Sequence, residues 1–282
     1  MRITSYILIL LLCFSTTVYS NDIKISEESN SVKVIDKSSV KFKLITSVNK
    51  ISTNVIKTKF GDFVKLSIPS YTSNSIDGNP ELPSLNKLIS VPKGAKVVTK
   101  IINKIVKTVH LEDYGIELPL FPNQPSISKG DNPENIDFIF NKDSYSQNSF
   151  FQSNIVSIEL LGFMRDIELA RISVSPITYN PITNELKIIT NLEIEVSFID
   201  IDFTADKLSK QKYFSADFEH LYKKCLNYLP SNTKDVITTY PVKYVIVSDP
   251  IFQTALQPLI DWKTKKGFSV IEALNIKEFL YI

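Results

Sequence analysis

The sequence is poor in cysteine, histidine and glycine. Its 282 residues include two cysteines, two histidines and seven glycines. Cys13 lies in an apolar N-terminal segment that we expect to be removed, which leaves Cys225 as the single cysteine of the mature chain. One cysteine cannot form an internal disulfide, so an exported chain of this size would be held together by burial of apolar side chains.

A surplus of charge of either sign is also missing. Lysine and arginine together number 32, and aspartate and glutamate number 30. A chain so close to neutral has no extended field to attract nucleic acid or an anionic membrane surface, so neither is expected as a partner. After the N-terminal segment no apolar run approaches the ~20 residues of a membrane-spanning helix. We therefore expect an exported chain that folds around a core and has no membrane span.

The N-terminal segment has the order of parts of a secretory signal peptide. A positive residue precedes an apolar run from Tyr6 to Phe14, and permissive small residues lead up to Ser20. This predicts a signal peptide over residues 1–20, with cleavage between Ser20 and Asn21. The chain would then be extracellular, on the cell surface or periplasmic. A lipoprotein signal would use Cys13, but a leucine precedes it where a small residue is needed.

Much of the remaining chain alternates between apolar and polar residues, as β-strands do. The cleanest example places Glu193, Glu195 and Ser197 between Leu192, Ile194, Val196 and Phe198. It predicts a strand with one buried face and one solvated face. Asn-Pro pairs mark turns between such segments, at Asn79-Pro80, Asn132-Pro133 and Asn180-Pro181. Many short strands separated in this way predict a β-sandwich with its core at about residues 60–200.

Two segments depart from the alternating pattern. Residues 126–153 are polar, and a loop longer than ~12 to 15 residues in a compact domain is usually functional or disordered. This excursion is therefore a candidate functional surface, with a mobile insertion of no function as the alternative. Over residues 215–229 apolar side chains recur every three or four positions, which predicts an amphipathic helix. Cys225 falls on the apolar side of this helix and is interpreted as a core residue.

The C-terminal part of the sequence changes character. Residues 231–241 are polar and aperiodic, and we interpret them as a linker. Within residues 242–282, an apolar strand at Tyr244–Val247 is followed by a helix that starts behind Asp249-Pro250, and then by a strand at Phe268–Ile271. This order predicts a βαβ unit with two parallel strands. Such a unit is too small to be a domain, so the predicted fold is mainly β, a β-sandwich followed by an incomplete α/β start.

Specific motifs resemble one protein family. The run Tyr244-Val-Ile-Val-Ser-Asp-Pro-Ile-Phe252, the helix Leu256-Gln-Pro-Leu-Ile-Asp-Trp-Lys263 and the turn Lys266-Gly267 occur in this order. The order resembles the opening of the catalytic domain in the gingipain family of cysteine peptidases. Upstream, Gly78-Asn-Pro-Glu-Leu-Pro83 and Pro176-Ile-Thr-Tyr-Asn-Pro181 resemble that family's propeptide.

The resemblance implies a domain order for a secreted precursor. A gingipain-type propeptide would span 21–230, and a truncated start of a caspase-like catalytic domain would span 242–282. By resemblance, the propeptide keeps the protease latent during export and helps it to fold. Its partner would be the cognate protease catalytic domain, in cis or in trans.

No catalytic residue is carried over from the family. The family's chemistry uses a cysteine thiolate assisted by histidine. Here His220 and Cys225 are five positions apart on one predicted helix, where their side chains point about 140° apart. We therefore expect the chain to be inactive alone, and we expect no cofactor or metal.

The excursion at 126–153 is the predicted inhibitory loop. Lys129 or Lys142 would be offered to the protease as a substrate-like basic side chain. Lys234, the basic residue of the linker, is the predicted site of maturation cleavage. The alternative function is a non-catalytic secreted β-sandwich binding module, whose candidate aromatic platform would consist of Tyr145, Phe150 and Phe151.

Overall fold

A computed structural model of the chain describes residues 22–73, 76–130, 136–150, 154–215, 218–230 and 243–274. The predicted cleavage sites at Ser20 and Asn21 and at Lys234 lie outside these residues. The chain divides into two compact units, Met1–Pro230 and Ser231–Ile282.

Strands dominate the described part of the first unit, as the alternating pattern predicts. They are β1 (Ile23–Lys24), β2 (Ser31–Ile35), β3 (Lys41–Ser47), β4 (Lys50–Thr58), β5 (Gly61–Ser67), β6 (Thr72–Ser73), β7 (Pro83–Val91), β8 (Lys96–His110), β9 (Val156–Met164), β10 (Ile167–Val174), β11 (Ile177–Asn180) and β12 (Glu185–Ile199). The helices are short: α1 (Lys142–Ser146), α2 (Phe203–Tyr213) and α3 (Glu219–Tyr222). The mainly β prediction is confirmed.

Two antiparallel sheets form a sandwich. In one sheet β8 pairs with β12 along its whole length, β3 and β11 pair with different stretches of β12, and β2 pairs with β3. The other sheet has the order β6-β7-β10-β9. One buried cluster combines side chains of both sheets, including Phe42, Leu44, Leu192, Ile194, Leu85, Ile89 and Ile172. Alternating residues on two facing sheets produce such a core, so the predicted β-sandwich is confirmed.

A third sheet, with the order β1-β4-β5, extends the core toward the N-terminus. It contributes Ile23, Ile51 and Leu66 to a second buried cluster. Because β1 to β4 precede residue 60, the predicted start of the core at about 60 is too late. The sequence signal was present in β3, where Lys43 separates the fully buried Phe42 and Leu44.

The predicted helix over 215–229 is wrong in extent. The described residues contain α2, which the sequence analysis missed, and only one turn of helix at α3. α2 begins behind Asp202, whose carboxylate accepts a hydrogen bond from the Ala205 amide at 2.8 Å. The Tyr222 hydroxyl of α3 donates to the Asp166 carboxylate at 2.8 Å. Burial raises the pKa of that carboxyl, an effect opposed by the Tyr222 hydrogen bond.

After α3 the chain forms hydrogen bonds with the open edge of β7 instead of continuing as a helix. The Leu226 amide donates to the Leu88 carbonyl at 2.9 Å. The Asn227 side chain accepts from the Ser90 amide and donates to the Ser90 carbonyl, both at 2.8 Å. Asn227 therefore acts as one residue of an additional strand, and this pairing overrides the helical periodicity. Cys225, predicted to be a core residue, is indeed buried.

The second unit contains β13 (Lys243–Val247), α4 (Gln253–Lys265) and β14 (Ser269–Ala273). β13 and β14 pair in parallel, as the predicted βαβ order requires. The Asp249 carboxylate accepts from the Ile251 amide at 2.9 Å and starts the turn that leads into α4. Val247, Phe252 and Trp262 are exposed, as expected where the described residues of the unit form only two strands.

Candidate functional site

The polar excursion leaves the sandwich and returns to it at a narrow neck. The Gln124 side chain donates to the Ile139 carbonyl at 2.8 Å, and the Ile139 amide donates back to the Gln124 Oε1 at 3.0 Å. The same side-chain nitrogen lies 3.0 and 3.1 Å from the carbonyl oxygens of Pro122 and Asn123. We call the Gln124–Ile139 pair the neck and residues 125–138 the clamped loop. Residues 131–135 of this loop lie outside the described part of the chain.

A turn at Gly78 and Asn79 supports the neck. The Gly78 amide donates to the Asn123 carbonyl at 2.7 Å, and the Asn141 amide donates to the Gly78 carbonyl at 3.0 Å. Gly78 has a φ of 83°, and a Cβ there would lie 2.9 Å from the Ile139 Cγ2 and 3.0 Å from the Asn141 nitrogen. Both the positive φ and the close approach require glycine. The Gly78-Asn-Pro segment, whose Asn79-Pro80 pair was predicted to mark a turn, therefore contacts both limbs of the excursion.

Aromatic packing fixes the returning limb of the clamped loop. The Phe138 ring stacks on Phe60 with a centroid separation of 4.8 Å. It also lies 5.8 Å from Phe63 and 6.2 Å from Phe121. Contacts of this kind contribute about 0.5–1.5 kcal/mol each beyond the burial of area. The loop is thus anchored to the β5 side of the sandwich as well as closed at its neck.

The structure separates the two candidate lysines. Lys129 is exposed and lies within the clamped loop. Lys142 lies beyond the neck, as the first residue of α1, where the Asn141 side chain caps the helix through the Ser144 amide at 3.4 Å. Of the two candidates, Lys129 therefore lies in the clamped loop and Lys142 in a helical turn outside it.

The aromatic side chains that a binding platform would use are packed against neighbours. Tyr145 stacks on Phe140 at 4.5 Å, and its hydroxyl donates to a backbone carbonyl at 2.7 Å. Burial raises the pKa of the Tyr145 phenol well above its usual range. The Lys187 ammonium lies 3.9 Å from the centroid of the Phe150 ring. Phe151 lies outside the described residues, so the two candidate rings that are described form no open platform.

The described residues contain no assembled catalytic centre. Cys225 is 3% exposed, and burial raises the pKa of its thiol to about 11. Little of it is therefore the nucleophilic thiolate at neutral pH. The His110 Nε2 lies 3.3 Å from the Glu185 carboxylate. Over the same residues no three acidic, histidine or cysteine side chains converge as metal ligands, and no helix has the length and apolar character to cross a membrane.

Comparisons with known proteins cover most of the chain. The family model Propeptide_C25 matches residues 26–226. Lys-gingipain of Porphyromonas gingivalis is 34% identical over 255 residues, which is 88% of this chain and 14% of that protein. Gingipain R2 of the same species is 24% identical over 205 residues, which is 71% of this chain and 27% of that protein. The chain thus spans only a small part of the length of these relatives.

Two solved structures share the fold. One, described as structural insight into zymogenic latency of gingipain K from Porphyromonas gingivalis, has a TM-score of 0.61 and 34% identity and covers 64% of this chain and 98% of its own. The other, a complex of Porphyromonas gingivalis RgpB pro- and mature domains, has a TM-score of 0.56 and 21% identity, covering 70% and 98%. At 21% identity the second comparison supports the fold alone. The family resemblance predicted from the sequence motifs is confirmed: the chain belongs to the gingipain propeptide family, Propeptide_C25.

Proposed function

We propose that this chain keeps a gingipain-type cysteine protease latent by placing Lys129 of the clamped loop in the substrate cleft of that protease. The observation that carries the proposal is the closed neck, which presents an exposed lysine on a loop fixed to a rigid sandwich. The fold shared with a structure of gingipain K latency supports it. The partner is the cognate catalytic domain, in cis or in trans.

Preorganisation explains how such a loop can bind more tightly than a substrate. A flexible peptide loses about 1–2 kcal/mol of backbone entropy for each residue that the cleft orders. The neck and the Phe138 anchor fix the two ends of the loop before binding, so less of this entropy remains to be lost. A lysine at the exposed position also agrees with the name of the Lys-gingipain relatives.

The inhibition assay separates the two candidate lysines. The purified chain is titrated against mature Lys-gingipain while hydrolysis of a lysyl peptide is followed. We expect Lys129→Ala to raise the inhibition constant at least tenfold, about 1.4 kcal/mol. Lys142→Ala and the exposed-strand control Lys100→Ala should leave it within about twofold, which is well under 1 kcal/mol. Unchanged inhibition by the Lys129→Ala, Lys142→Ala double variant would remove the loop from the mechanism, and a wild-type chain that does not inhibit would refute latency itself.

The proposal also covers the export of the chain and its maturation by proteolysis. The signal peptide is removed between Ser20 and Asn21, and the chain acts outside the cell, on the cell surface or in the periplasm. Cleavage after Lys234 then separates the propeptide at 21–230 from the catalytic start at 242–282. N-terminal sequencing of the exported and processed products should give ends at Asn21 and at Asp235. Lys234→Ala should abolish the second end only, and a product that starts elsewhere contradicts the assignment.

A further inference from the structure

We infer that a cleft between the segment joining β1 to β2 and the turn Pro69–Tyr71 binds the free carboxylate of a short peptide, with Lys87 as the cation that receives it. The cleft has a volume of about 630 Å³, a size at which pockets hold small ligands. All residues that line it belong to the described part of the chain. We call it the lysine cleft. Binding there would not depend on the proposed latency.

Lys87 occupies an unusual position for a charged residue. In the register of β7 and β10 it lies opposite Ile172, which is 1% exposed in the core between the two sheets. Residues directly opposite each other share a face of the sheet, so Lys87 is on the core-facing side of β7 with Leu85 and Ile89. The side chain is half-buried and lines the cleft.

The Lys87 ammonium forms no ion pair with the acidic side chains that the structure describes. A charge that is partly removed from water costs free energy unless it is paired. A ligand with a negative group would supply the missing partner.

The other charges of the cleft limit the charge of its ligand. The Lys24 Nζ lies 2.6 Å from the Glu27 carboxylate, and the Lys50 Nζ lies 2.7 Å from the Asp22 carboxylate. Three lysines and two glutamates line the cleft, so one net positive charge faces the ligand. A single carboxylate matches this charge. A phosphate group, with a charge of about −1.5 to −2 at neutral pH, exceeds it.

Tyr71 offers the cleft a second group without a partner. Its hydroxyl is buried and makes no hydrogen bond within the described residues. Burial raises the pKa of the Tyr71 phenol to about 12, so the hydroxyl keeps its proton at neutral pH and remains a donor. An unpaired buried hydroxyl is unfavourable, and a carboxylate oxygen would accept its hydrogen bond.

The turn that presents Tyr71 is strained. The Tyr71 amide donates to the Ile68 carbonyl at 3.0 Å, and Ser70 between them has a φ of 68°. Residues with a Cβ rarely adopt this φ. Backbone strain is thus retained where Tyr71 meets the cleft, as is common at binding sites.

The opposite wall of the cleft is fixed before a ligand arrives. The Asn30 side chain donates to the Lys50 carbonyl at 2.7 Å and accepts from the amides of Asn49 and Lys50 at 2.6 and 2.9 Å. A fixed wall lowers the entropy lost on binding. Five serines line the cleft beside the apolar surfaces of Val32 and Pro69. Hydroxyls for amide groups, apolar surface for a side chain and one cation for a carboxylate fit the C-terminal end of a short peptide.

The test measures binding of N-acetyl-alanyl-leucine to the full chain by ligand-observed NMR titration, with the C-terminal amide of the same dipeptide as the matched probe. We expect the acid to bind at least tenfold more tightly, because only the acid carries the charge that Lys87 pairs. Lys87→Met should weaken binding of the acid at least tenfold without lowering the melting temperature of the unliganded chain, since methionine suits a core-facing position. Lys33→Met, on β2 but outside the cleft, is the control and should bind as the wild type.

Tyr71→Phe is a second variant that changes a single atom. Because it removes only the unpaired hydroxyl, the melting temperature should not fall, and binding of the acid should weaken at least threefold. A lower melting temperature would show that the hydroxyl has a partner in the fold and would overturn its assignment as a ligand donor. Equal binding of acid and amide, no binding of either, or wild-type affinity in Lys87→Met would overturn the site. Competition by inorganic phosphate at the concentration of the acid would overturn the choice of a carboxylate.

Discussion

Gly78→Ala should lower the free energy of unfolding of the propeptide unit by about 3 kcal/mol, combining backbone strain and overpacking. The φ of 83° at this position costs a residue with a Cβ about 1–2 kcal/mol. The new methyl group would also lie 2.9 Å from the Ile139 Cγ2 and 3.0 Å from the Asn141 backbone nitrogen. The second contact is with backbone and cannot be relieved by a rotamer change. Overpacking of this kind typically costs about 1–3 kcal/mol.

The measurement is urea unfolding followed by far-UV circular dichroism. The single tryptophan, Trp262, lies in the second unit and would report on that unit instead. Gly94→Ala is a matched control, because its φ of 76° is close to that of Gly78 and the nearest atoms to the added methyl group lie at ordinary contact distances of 3.5 Å or more. It should show the backbone cost alone, about 1–2 kcal/mol. A Gly78→Ala loss no greater than the Gly94→Ala loss would contradict the close approach beneath the neck.

Asn227→Leu should have the second large effect. It should lower the free energy of unfolding by about 2–4 kcal/mol, because two partly buried backbone groups lose their partner. Leucine has a similar size but leaves both the amide and the carbonyl of Ser90 without the partner that they have here. Asn227 is only 7% exposed, so water cannot readily replace the lost bonds. An unsatisfied buried group costs about 1–3 kcal/mol.

Hydrogen exchange locates this second effect. The amides of β7 should exchange faster in Asn227→Leu, whereas those of β12 should keep their protection. Asn103→Leu, on the exposed strand β8, is the control and should change stability by less than about 0.5 kcal/mol. Unchanged protection of β7 in Asn227→Leu would show that its edge does not depend on this side chain.

The sequence predicts the elements whose formation depends on local pattern. The alternation in β12 and the strand, cap and helix order at 242–282 both lead to the observed elements, because each is encoded within its own segment. The helix over 215–229 fails because Leu226 and Asn227 satisfy the edge of β7, more than a hundred positions earlier in the chain. Periodicity cannot report a partner so distant in sequence.

The candidate site was also predicted only in part, because its contacts join residues that are distant in sequence. Its polar composition identified the excursion, and both lysines were candidates. The neck pairs Gln124 with Ile139 across fifteen positions through a side chain, a pattern that no local propensity encodes. Only the structure shows that the clamped loop contains Lys129 and that α1 contains Lys142. Gly78 was the one visible signal, since a glycine before Asn-Pro suggests a special backbone position.

The attachment of Asn227 to β7 has a consequence for the order of events in activation. The groups that complete the sandwich edge all lie upstream of Pro230. A cut at Lys234 would therefore divide the polypeptide without undoing any of these bonds. Under the proposed function, cleavage of the chain and loss of inhibition would then be two separate steps. The released propeptide would stay folded and could rebind the protease, so activity would appear only after the propeptide itself is degraded.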